Sequence, residues 1–95
     1  MPKYASLMTL ADRDVQNAQE LASIWGELET ELDQHEATLE DSYAILGEYD
    51  FLVIFEADDR EAGFKSALAM RRHGLEGQTM PIIDVENISQ LVDEI

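Results

Sequence analysis

Few side chains in this 95-residue chain could do chemistry, and their spacing limits what they could do together. Tyr43, Asp50 and His73 are the candidate catalytic groups: a phenol, a carboxylate and an imidazole, each able to donate or accept a proton. Asp50 and Glu56 lie six residues apart. On an extended strand that is about 20 Å, so they cannot serve as a paired acid and base within one chain. Trp25, Tyr49 and Arg71 are the candidate ligand contacts. Each also has a plainer use: Trp25 as a core anchor, Tyr49 as a ring packed on a sheet, Asp50 as an acceptor for backbone N–H groups at a turn. His35 and His73 fall near predicted helix ends, where the dipole favours a cation. His35-Glu36 lacks the second histidine, four residues on, of a zinc-binding helix. No calcium-loop spacing occurs either, so no metal site is expected.

The motifs that would bring a cofactor are missing. There is no G-x-S-x-G, no glycine-rich phosphate loop and no dinucleotide fingerprint, and no cofactor is expected. The absence of cysteine removes disulfides, thiolate catalysis and thiolate-bound metals. Arg71-Arg72 is the one basic cluster, and pairing with nearby acids is its expected use.

Periodicity supplies the elements that must position these residues. "KYASLMTL" (3–10) reads as a strand, and Asp12 as the cap of a helix running to about residue 34. Its apolar stripe is Val15, Ala18, Leu21, Ala22, Trp25, Leu28 and Leu32. Residues 37–46 and 49–57 read as strands joined at Gly47-Glu48, where glycine in the first loop position predicts a type II′ hairpin. Asp58 with Glu61 predicts a capped second helix over about 59–73. "GLEGQTMPII" follows as a fourth strand, with Pro81 assigning its end to a sheet edge or past the ladder. "DVENISQLVDEI" closes as a helix capped by Asp84, with Val85, Ile88, Leu91, Val92 and Ile95 on its apolar side. The predicted class is α+β: a ferredoxin-like βαββαβ sandwich plus a C-terminal helix, one domain over 1–95.

"FLVIF" (51–55) is apolar on both faces, with Phe51, Val53 and Phe55 on one and Leu52 and Ile54 on the other. Helices cover only one face of such a sheet. A second copy of the chain is the expected cover of the other, giving a homodimer or larger homo-oligomer; the alternative cover is the C-terminal helix folded back.

Composition sets the surroundings. With 21 acidic and 6 basic residues the formal net charge is -15. The acids are dispersed among ordinary core residues and not collected into a tail, which favours adaptation to high salt over an acidic surface awaiting a basic partner or cations. Nucleic acid is not an expected partner, because no basic stripe exists to meet phosphates. No apolar run spans a membrane and no secretory leader pattern is present, so a soluble cytoplasmic protein is expected.

The segment "GEYDFLVIFEADDREA" resembles the hallmark of the GYD-domain family, short chains with a Gly-x-Tyr-Asp turn, an apolar strand, then Glu-Ala-x-Asp leading into a helix. The match falls on Gly47, Tyr49, Asp50, Glu56, Ala57 and Asp59, with Asp58 standing where a proline is usual. The opening "MPKYASLMTL" resembles that family's first strand. The resemblance implies a ferredoxin-like fold with dimeric α/β-barrel relatives, a structural role for Gly47, Tyr49, Asp50, Glu56 and Asp59, and no defined mechanism. Together with the acidity it suggests a haloarchaeal member. The expected function is a small-ligand-binding or regulatory module. The alternatives are a cofactor-free, monooxygenase-like enzyme with its cavity between sheet and helices, and a protein-interaction subunit.

Overall fold

The computed structural model describes residues 1–11 and 18–95. The chain runs β1 (Lys3–Leu10), α1 (Ala18–Gln34), β2 (Ala37–Ala44), β3 (Phe51–Ala57), α2 (Arg60–Arg72), β4 (Leu75–Ile82) and α3 (Val85–Glu94). The strands form one antiparallel sheet in the order β2-β3-β1-β4. This α+β arrangement is consistent with a ferredoxin-like fold. Asp12 and Val15, expected to open the first helix, lie outside the described residues.

Strand alternation divides the sheet into two faces. Val53, Phe55 and Ala57 of β3 point toward α1 and α2 and are fully buried there with Leu28, Leu32, Met70 and Leu75. Tyr4 stacks on Phe55 with ring centroids 5.2 Å apart. The buried hydroxyl of Ser6 is satisfied by Thr79 Oγ1 at 2.8 Å. β4 can pair tightly with β1 because residue 77 is glycine: a Cβ there would lie 1.9 Å from the Leu7 carbonyl oxygen. β4 is an edge strand, and Pro81 on it fits the expectation, since its missing N–H is removed from no inner ladder.

The other face carries Ala5 and Leu7 of β1, Leu52 and Ile54 of β3, and Met80 of β4, brought together by the pairs Ala5↔Ile54, Leu7↔Leu52 and Ala5↔Met80. The fold-back of the C-terminal helix does not occur. Every residue of α3 is exposed, and α3 has no substantial packing against any other element. With only Ile83 and Asp84 after β4, and Asp84 extended at ψ 140, the chain carries α3 away from the sheet. The molecule accordingly measures 49 × 31 × 16 Å.

Two local expectations are corrected. The β2–β3 connection is not a two-residue II′ turn. It spans residues 45–50, is closed by Ile45 N–H to the Asp50 carbonyl at 2.8 Å, and leaves Gly47 outside the positive-φ region. Asp50 is drawn across to β1 instead: its N–H donates to the Met8 carbonyl at 2.8 Å, and its Oδ2 accepts from Leu10 N–H at 3.1 Å. That second attachment leaves Asp50 outside the β2–β3 ladder and widens the loop. The cap of α2 is Asp59, not Asp58. Asp59 is extended (φ -151) and accepts from Ala62 N–H at 2.8 Å, whereas the Asp58 N–H is committed to the Glu36 carbonyl at 3.0 Å.

Candidate functional site

The most chemically defined recess is a cleft of about 350 Å³ between α1 and the β2 edge of the sheet. Leu21, Ala22 and Trp25 line it from the helix, and Ser42, Ala44 and Phe51 from the sheet. Its position follows from local rules. Leu21 and Ala22 lie one helical turn before Trp25, and Ser42 and Ala44 alternate onto the helix side, as their pairing with Val53 and Phe51 requires. The indole is held from two directions. Its ring meets Phe51 at 4.9 Å between centroids, tilted by 59°, and its Nε1–H donates to Ser42 Oγ at 2.8 Å. The lining is otherwise aliphatic or aromatic. This is a place to bury an apolar body beside one hydrogen-bonding pair, with no carboxylate or imidazole in its wall.

The sequence-derived candidates do not converge. Trp25 and Tyr43 meet at this cleft, but Tyr43 pairs with Leu52 and so alternates onto the open face, reaching the cleft only at the β2 edge. Asp50 is a half-buried tie between the loop and β1. Tyr49 is half-buried in the same loop. His73 lies on the far side of α1, where its Nε2 meets Glu31 Oε2 at 2.6 Å and its Nδ1 lies 3.7 Å from Glu27. Glu31 also pairs with Arg72 and stands 3.8 Å from His35. This hub clamps the end of α2 to α1. Arg72 thus pairs with an acid as expected, whereas Arg71 points into a separate groove beside β4. Among the described residues no cluster of His, Cys, Asp or Glu could hold a metal ion, and no helix is long and apolar enough to cross a membrane.

One titratable cluster sits at the margin of the open face. The β2 bulge between Leu39 and Asp41 leaves Glu40 near Glu56, and Lys3 Nζ lies 3.3 Å from Glu40. The hydrogen bond with Glu40 holds the Glu56 carboxyl above the ordinary value, and like-charge repulsion adds to it. The same hydrogen bond, and then Lys3, hold Glu40 below it. The Lys3 ammonium is raised by the Glu40 hydrogen bond and charge. Glu56 is therefore a polar margin of a face and not half of a catalytic pair with Asp50.

Sequence reasoning missed Ser42 and Ala22. Ser42 carries no signal of its own in the sequence, and only its alternation with Tyr43 could have aimed it at Trp25. Comparison with known families gives one match: the GYD domain model aligns with residues 4–92. No curated protein matches the chain.

Proposed function

The chain belongs to the GYD-domain family, and from that premise we propose that it is a homo-oligomeric module that binds a small, largely apolar ligand. The cleft carries this reading: it joins an anchored indole, a phenyl ring and aliphatic walls to a single hydrogen-bonding pair. A ligand entering it would stack against Trp25 and compete for the Ser42 hydroxyl or the indole N–H. Burial of apolar surface would supply most of the affinity, at about 25 cal/mol per Å² before the costs of association.

The oligomer is read from the open face. Four strands about 4.8 Å apart and about 26 Å long present a face of about 500 Å² in projection, of the same order as the about 800 Å² per partner of a standard interface. Its centre is apolar (Ala5, Leu7, Leu52, Ile54, Met80), with the Lys3–Glu40–Glu56 group at one margin. A second copy presenting the same face is the self-complementary cover. Adaptation to a salt-rich cytoplasm, as in a haloarchaeal cell, belongs to the same proposal and rests on the formal net charge of -15.

Filling the cleft tests the ligand. Ala22→Phe adds a ring from the exposed side of α1 while leaving the buried residues Leu28 and Leu32 untouched. The variant is expected to keep its circular dichroism and lose the ligand that the native protein carries through purification. Retention of the same ligand by a folded Ala22→Phe protein would remove the cleft from consideration.

A further inference from the structure

The C-terminal helix has no place on its own molecule, and the outer face of α2 has the complementary pattern. Val85 of α3 is 82% exposed and Ile95, just past its end, 103%; Ile88, Leu91 and Val92 are exposed with them, and no residue of the helix is buried. An isolated helix shorter than about 12 residues is marginal in water, so a ten-residue amphipathic helix needs a surface. On α2, Arg60, Phe64, Ala67 and Arg71 recur at steps of four, three and four residues, which puts them in one stripe facing the β4 edge. Phe64 and Leu68 are 66% and 59% exposed. Between this stripe and β4 lie two adjoining depressions of about 270 and 330 Å³ that share Phe64, Ala67 and Thr79. Thr79 lines both of them with its hydroxyl bonded to Ser6, and Gly77 lines the first.

From this juxtaposition we propose that α3 of one copy docks in the α2–β4 groove of a second copy. Length and charge select this occupant. The groove runs from Arg60 to Arg71, about 16 Å at 1.5 Å per residue, and a ten-residue helix is about 15 Å long. α3 is apolar in its middle and acidic toward both ends, with Glu86 at one and Asp93 and Glu94 at the other, and it carries no basic residue. The groove is apolar in its middle with an arginine at each end. Neither Arg60 nor Arg71 has an ion-pair partner among the described residues, in a chain whose acids outnumber its bases 21 to 6. The surface is separate from the open sheet face. The exchange of α3 therefore does not depend on sheet-to-sheet pairing, and the two contacts together would extend a dimer into a larger assembly.

The chain has no cysteine, so introduced thiols report this contact alone. Leu68→Cys protein is mixed with Ile88→Cys protein and treated with a short bismaleimide crosslinker. Gln90→Cys, on the polar side of α3, replaces Ile88→Cys in the control. The expected product is a covalent Leu68→Cys/Ile88→Cys heterodimer formed well above the Gln90→Cys control, and formed several-fold more slowly when Arg60→Glu and Arg71→Glu are added. A heterodimer yield no higher than the control overturns the proposal. So does a Leu68→Cys/Ile88→Cys double variant that crosslinks only within its own chain, which would show α3 serving its own groove.

Discussion

Asp50 shows how one side chain can serve a fold without serving a reaction. Its carboxylate takes the Leu10 N–H while its backbone ties to Met8 and Ile45, so a single residue joins the β2–β3 loop to the end of β1. Asp50→Ala should cost about 1–2 kcal/mol, the range for losing a charged acceptor of a partly buried N–H, read as a lowered urea midpoint; Asp50→Asn, which keeps an acceptor, should cost less. Gly47 and Gly77 carry unequal structural weight. Gly47→Ala should be nearly neutral, because a Cβ there meets only Ile45 Cγ2 at 3.8 Å. Gly77→Ala should be severely destabilising, by more than about 2 kcal/mol, because the new carbon collides with backbone that cannot rotate away. Equal urea midpoints for these two variants would contradict the β1–β4 packing described here. The Glu40–Glu56 pair yields a pH prediction. A carboxyl whose folded pKa is raised contributes stability at acid pH and loses it as pH rises through that value. Glu56→Gln stays neutral and can donate to Glu40 at every pH. Its urea midpoint should therefore gain on the native protein as pH is raised from 4 to 7, and a constant difference across that range would contradict the pairing.

At the scale of elements, what periodicity could reach was legible and what depended on distant partners was not. β1, α2 and β4 were legible as a strand without turn formers, a helix opened by an acidic cap and a strand ending in a proline. The apolar side of α1 was legible from Leu21 to Leu32, with Leu28 and Leu32 fully buried. The loop was misread because Asp50 answers to Leu10, forty residues earlier, and no local pattern contains that bond. The cleft was half legible. Trp25 stood out, but its partner Ser42 is seventeen residues away on the edge strand. The cap of α2 was misplaced by one residue because adjacent aspartates, Asp58 and Asp59, look alike until the Glu36 carbonyl claims the first N–H. Asp59→Ala should cost about 1 kcal/mol and Asp58→Ala little, by thermal or urea unfolding.

For the whole molecule, charge and uncovered apolar surface set the behaviour. Among the described residues the lysine and arginine ion pairs are Lys3–Glu40 and Arg72–Glu31. Self-repulsion at -15 should weaken as the screening length falls from about 10 Å at 0.1 M salt to about 3 Å at 1 M. The melting temperature should therefore climb with potassium chloride, and a flat or falling curve would remove salt adaptation from the account. On the proposed function, copies of this chain assemble and hold a small apolar ligand. Native mass spectrometry tests it most directly, on protein purified at high salt from its own host and exchanged into concentrated ammonium acetate. The expected species is a dimer or larger homo-oligomer with a bound small molecule that Ala22→Phe excludes. A bare monomer at micromolar concentration, with its sheet face and α3 both uncovered, would contradict it.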